Sequence, residues 1–169
     1  LGRGVLTTRT IDGLLDAKKD NGNGDIISKL TDASGKALKY TINKTMMRID
    51  LPAPLKPGQK FVFNVDWSYK ITNRMVEGGR GGYETLEDGN NLFTMAQWFP
   101  RLCVYSDFQG WQNHQFTGRG EFALVFGNYN VQISLPADHV VLGTGQCLNY
   151  NQVLSPAQLA RWNQAHTAK

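Results

Sequence analysis

Five large apolar residues recur at every second position from Phe61 to Tyr69: Phe61, Phe63, Val65, Trp67 and Tyr69. Val62, Asn64, Asp66 and Ser68 fill the intervening positions. A period of two places one set on each face of an extended backbone, so this stretch predicts a half-buried β-strand. Met47, Ile49 and Leu51 alternate with Arg48 and Asp50 in the same way. The segment between them, Pro52-Ala53-Pro54-Leu55-Lys56-Pro57-Gly58, has too few backbone donors for a central strand and reads as a rigid connection.

The alternation extends in both directions. Ile26 to Thr31 and Leu38 to Asn43 flank Asp32-Ala33-Ser34-Gly35, a hairpin signal, and Val5 to Ile11 is a further strand expectation. Residues 73–91 carry Gly78-Gly79-Arg80-Gly81-Gly82 and Asp88-Gly89-Asn90-Asn91, and read as a loop. Strands are then expected at Leu92 to Trp98, Arg101 to Tyr105, Phe122 to Phe126, Val131 to Leu135 and His139 to Leu142. Ser155-Pro156-Ala157-Gln158 changes the pattern: a capping serine, a first-turn proline and a glutamine three residues on announce a helix. The expected fold is all-β, an antiparallel β-sandwich or a strongly curved sheet, with one C-terminal helix, in a single domain over 1–169.

At 169 residues a chain can bury a core without disulfides or a structural metal. No apolar run reaches the roughly 20 residues of a membrane-spanning helix. Net charge is +4, divided into +5 over residues 1–85 (14 basic, 9 acidic) and −1 over 86–169 (4 basic, 5 acidic). The longest cationic run is Lys18-Lys19, so the clustered basic surface of a nucleic-acid binder is not expected. Cys103 and Cys147 both sit beside apolar residues, and free buried thiols are expected; they leave the compartment open.

Catalytic patterns are sparse. The spacing Cys103-x10-His114-x24-His139-x7-Cys147 matches no zinc pattern, and HExxH does not occur. Asp20-Asn21-Gly22-Asn23-Gly24-Asp25 lacks a register that supplies alternating ligands, the sixth-position glycine and the twelfth-position glutamate of a calcium loop. Nucleophile-elbow and phosphate-loop motifs do not occur. After residue 89 the acidic residues are Asp107, Glu121 and Asp138, too few to point to a carboxylate pair.

The densest signal lies in residues 94–126, where Trp98, Phe99, Tyr105, Phe108, Trp111 and Phe116 crowd among Gln97, Arg101, Asp107 and Glu121. One reading is core aromatics under loops, with Arg101 paired to Asp107 or Glu121. The other is a binding platform whose aromatic faces take sugar rings or a peptide, through Trp98, Tyr105 and Trp111.

Several motifs here point further. Ala96-Gln97-Trp98-Phe99-Pro100-Arg101, Val104-Tyr105-Ser106-Asp107 with Gly110-Trp111, Gly118-Arg119-Gly120-Glu121-Phe122 and Gly127-Asn128-Tyr129-Asn130-Val131 stand in one order. With Leu135-Pro136-Ala137-Asp138-His139-Val140-Val141-Leu142-Gly143-Thr144-Gly145, this set resembles the amino-terminal domain of aminopeptidase N-type (gluzincin) zinc metallopeptidases, bacterial members above all. Gly143 stands where alanine is common in that family, and Pro54-Leu55-Lys56-Pro57-Gly58 before the Trp67 strand is also similar to it. The resemblance spans roughly 26–169.

It implies a curved, saddle-like β domain that docks on the catalytic domain of the same parent protein. Zinc would be bound there, by an HExxH motif and a downstream glutamate that have no counterpart in this chain, so no cofactor and no catalytic residue is expected here. Gln97 is the one position the resemblance places near a substrate, on its amino-terminal side. Relatives continue with further strands after the helix that corresponds to Val153-Leu154-Ser155-Pro156. The resemblance thus implies an incomplete sheet, with self-association of the isolated chain through a strand edge or the Trp98–Trp111 region.

Overall fold

The computed structural model describes residues 22–115 and 123–168, together with Thr8, Ile11 and Asp12. Two compact units divide the chain after Phe126. The described residues of the first form eight strands in four two-stranded antiparallel sheets: β1 (Ile26–Asp32) with β4 (Phe63–Ser68), β2 (Lys39–Asn43) with β3 (Met46–Asp50), β5 (Gly82–Thr85) with β6 (Asn91–Thr94), and β7 (Tyr105–Ser106) with β8 (Gly110–Trp111). A single helical turn, α1 (Arg74–Glu77), precedes β5. The second unit holds α2 (Tyr150–Val153) and α3 (Pro156–Thr167). The chain is mostly β with a short C-terminal helix, as the alternation implies.

The pair β1–β4 realises the central pattern. Val65 and Trp67 are half-buried while Asn64, Asp66 and Ser68 are exposed. On β1, Ile27 and Leu30 lie three apart and would point to opposite faces of a regular strand. The register shift between Ile27 and Lys29 corrects this, placing Ile27 opposite Trp67 and Leu30 opposite Val65. Ser28, the extra residue, donates its hydroxyl to the Asp66 carbonyl at 3.1 Å. Leu30, Thr31 and Leu38, on and beside β1, are buried, at 4%, 5% and 8% exposed.

The expected hairpin around Asp32-Ala33-Ser34-Gly35 forms only its turn. Asp32 accepts from the Ser34 and Lys36 amides, and Leu38 donates back to the Leu30 carbonyl at 3.1 Å. The chain then leaves, and β2 pairs with β3 through Lys44, which takes φ 54° at the two-residue turn. β1 takes β4 as its full-length partner instead, because that pairing joins two apolar faces.

Residues 73–91 are not the loop their glycines suggested. Asn73 caps α1, accepting from the Met75 amide at 3.0 Å, and β5 then runs back against β6. Gly82 explains part of the glycine run. Its φ is 132°, and a Cβ there would lie 2.5 Å from the Thr72 carbonyl oxygen. Asp88 organises the hairpin tip by accepting from the Asn90 amide and side chain, each at 3.0 Å.

Other strand expectations are corrected downward. The Leu92–Trp98 expectation shortens to β6, and that at Arg101–Tyr105 reduces to an isolated Cys103–Leu124 bridge and the start of β7. Residues 131–135 and 139–142 belong to no strand. Alternation supplies a face, but a strand also needs a ladder partner, and these segments have none among the described residues. Phe116, Glu121, Phe122 and the Gly118-Arg119-Gly120 motif lie outside the described residues, as does most of the Val5–Ile11 expectation; Thr8 and Ile11 are helical.

The C-terminal helix follows its sequence signals. Ser155 accepts from the Gln158 amide at 3.3 Å, and the Gln158 side chain returns the bond to the Ser155 amide at 2.9 Å. Leu159 and Trp162 form its half-buried stripe. Trp162 packs on Tyr150 of α2, ring centroids 4.3 Å apart, and on His166 one turn later at 4.5 Å.

Candidate functional site

The segment from Thr94 to Gln115 gathers the sequence-derived site residues. β6 ends at Thr94, and the chain bends through Ala96 and Gln97. Gln97 takes φ 54°, one of two positive-φ non-glycine residues among those described, and its side chain is exposed. Left-handed backbone is uncommon for a residue other than glycine, asparagine or aspartate and costs free energy that the surroundings must offset.

Those surroundings are aromatic. The Trp67 indole N–H donates to the Trp98 carbonyl at 3.2 Å, and the two rings lie 6.3 Å apart. Trp98 meets Phe99 edge-on at 4.9 Å. The Arg101 guanidinium sits 5.4 Å above the Phe99 ring, a cation–π contact. Arg101 is therefore held by an aromatic face; the expected pairing with Asp107 is not made, and Glu121 lies outside the described residues.

Beside the bend is a shallow cavity of about 210 Å³, lined by Tyr69, Thr72, Gly81, Gly82, Thr94 and Ala96 among others. Burial, and then the nearby Asp25 carboxylate, push the Tyr69 phenol above its ordinary range; burial also raises Asp25. Across the cavity's strand pair, Arg74 donates to the Thr94 hydroxyl at 3.2 Å and faces Glu84 at 3.8 Å.

A second arrangement lies on the β7–β8 hairpin. Tyr105 and Trp111 are directly cross-strand and pack edge-to-face at 5.2 Å. Both remain open to solvent, 61% and 55% exposed, as does Phe108 at the tip. Gln109, Trp111, Gln112 and His114 line a concavity of about 390 Å³. The sequence raised His114 only within the unmatched Cys/His spacing and gave no reason to single out Gln109 or Gln112. Gly110 closes the turn with φ 69°.

The thiols divide. Both are free; Cys103 is half-buried with its sulfur 3.8 Å from Met46, whereas Cys147 is exposed beside Asn149. The expectation of two buried thiols is met in part at Cys103 and not at Cys147, where residues 140–148 are all exposed. Two histidines have local partners. His139 contacts Asp138 at 2.7 Å and holds that carboxyl below its usual range, and His166 lies on Trp162. Among the described residues no three His, Cys, Asp or Glu side chains converge on one point.

No family model, no curated protein and no solved structure matches the chain. The chemistry on display is stacking faces, neutral amides, an imidazole and one constrained backbone turn at Gln97.

Proposed function

We propose that this chain is a non-catalytic amino-terminal scaffold or lid domain of a zinc aminopeptidase-type metallopeptidase, whose parent hydrolyses peptides. The observation that carries the reading is the ordered motif set between Thr94 and Gly145. The antiparallel, strand-rich architecture with a capped terminal helix agrees with it at the coarse level. On this reading the small sheets belong to a curved, saddle-like sandwich, and the exposed apolar residues face the parent's catalytic domain.

Among the described residues no three His, Cys, Asp or Glu side chains converge on one point, and on this reading the metal belongs to the catalytic domain of the parent. The contribution of this chain is positioning. Gln97, exposed at a constrained turn that the Trp67–Trp98 contact anchors, is the residue proposed to face the amino-terminal end of a peptide substrate. The purified chain is expected to release no product from aminoacyl reporter substrates with zinc added. Turnover that survives repurification and is lost on chelation overturns the assignment.

The exposed Tyr105–Trp111 pair favours a second reading, a module that binds a glycan or a peptide. Aromatic faces beside neutral amide donors suit a sugar ring, which has an apolar face and a polar rim. Titration with neutral oligosaccharides distinguishes the two: a change in tryptophan fluorescence that disappears in Trp111→Phe supports the binder, and an unchanged spectrum supports the scaffold.

A further inference from the structure

Residues 21–24 read Asn-Gly-Asn-Gly, and the second pair, Asn23-Gly24, is exposed just ahead of β1. An asparagine followed by glycine is chemically weak, because glycine sets no side chain against the approach of its own backbone nitrogen to the asparagine Cγ. Gly24 takes φ 105°, a conformation in which a larger residue is strained. The Asn23 amide also does structural work. Its Nδ2 donates to Glu77 Oε2 at 2.6 Å, across 54 positions, and so ties the segment before β1 to the last residue of α1. Asn23 lines the shallow cavity beside Tyr69 and Thr72 as well.

We propose that Asn23 is a site of spontaneous deamidation, and that the reaction irreversibly unlatches the segment before β1 from α1. The Gly24 backbone nitrogen forms a bond to Asn23 Cγ, the bond from Cγ to Nδ2 breaks, and the proton lost from Gly24 leaves with Nδ2 as ammonia. Water then opens the resulting succinimide at either carbonyl, giving aspartate, or isoaspartate with the main chain routed through the side chain. Nothing is oxidised or reduced, and water is the one co-reactant. Both products carry a carboxylate in place of the amide. An ionised carboxylate accepts hydrogen bonds and cannot donate one, so opposite the Glu77 carboxylate the bond does not re-form near neutral pH, and like charges now face each other. Glu77 also sets the pace. While the bond is made the Asn23 side chain is committed to Glu77; the reaction draws on the molecules in which this exposed contact has opened locally. The inference stands apart from the metallopeptidase reading and needs none of its residues.

Two measurements test it on the full chain, in an Asn21→Gln background that removes the neighbouring asparagine–glycine pair. After incubation at mildly alkaline pH, fragmentation mass spectrometry of the peptide over residues 20–29 is expected to show aspartate and isoaspartate at position 23. Conversion there should run several-fold faster than at Asn113 and Asn128, which precede His114 and Tyr129, and faster again in Glu77→Ala. Asn23→Asp, which installs one of the products, is expected to accelerate hydrogen exchange at the Glu77 and Gly78 amides of α1, which donate to the Asn73 and Arg74 carbonyls, and to leave the β2–β3 amides unchanged. An Asn23 that survives as long as Asn113 and Asn128 overturns the inference. So does a rate that Glu77→Ala does not raise, or an Asn23→Asp chain whose α1 amides exchange as before.

Discussion

The indole N–H of Trp67 donates to the main-chain carbonyl of Trp98 at 3.2 Å, tying the end of β4 to the turn that carries Gln97. One side chain from the strongest alternating segment thus fixes the backbone next to the candidate site. Trp67→Phe keeps an aromatic ring but leaves that part-buried carbonyl without its donor. The expected cost is about 1–2 kcal/mol, read as a lower urea midpoint at unchanged slope. Trp67→Ala also removes the ring and is expected to cost more, toward the roughly 3–5 kcal/mol of a fully buried tryptophan.

Gly82→Ala is expected to damage the β5–β6 hairpin. The added Cβ meets the Thr72 carbonyl oxygen at 2.5 Å, on a backbone with φ 132°. The strain amounts to about 1–3 kcal/mol before relaxation. Hydrogen exchange at the Tyr83 amide, which donates to Thr72 at 2.9 Å, reads this locally and should accelerate.

At the other end of the chain, Ser155→Ala removes half of a reciprocal cap. A loss of about 1 kcal/mol is expected, and α3 has only 12 residues with which to absorb it. Helical ellipticity should fall, and Gln158→Ala should produce a smaller change in the same direction.

Asp32 gives a pH dependence of defined sign. The Ser34 hydroxyl first, and then the Lys36 and Ser34 amides and the Lys36 charge, hold its carboxyl below the ordinary range, more than its slight desolvation opposes. A depressed folded value means that stability is fully present above the unfolded value of about 4 and is lost as pH falls through the folded value. Asp32→Asn should flatten that acid limb of the denaturation midpoint against pH, and leave its neutral region without slope.

Legibility in the sequence followed the range of the interactions. The α3 cap is written in four consecutive residues, Ser155 to Gln158, and reads directly. The Phe61–Tyr69 face is written in one strand and also reads directly. The choice of β4 rather than β2 as the partner of β1 depends on residues more than thirty positions away and on the irregularity at Ser28, which no local pattern encodes. Glycine misled in both senses. It marked residues 78–82 as a loop, where Gly82 in fact opens a strand at a close approach that excludes a side chain. At the candidate site, the aromatic crowding from Trp98 to Trp111 was visible in sequence. The left-handed backbone of Gln97 and the grouping of Gln109, Gln112 and His114 with Trp111 were not, because both depend on the folded backbone.

The proposed service to a zinc peptidase is read from the coding sequence beyond Lys169. On that reading it continues in frame into further strands, and then into a catalytic domain with HExxH and a downstream glutamate. An open reading frame that continues without that motif, or that stops at Lys169, contradicts it.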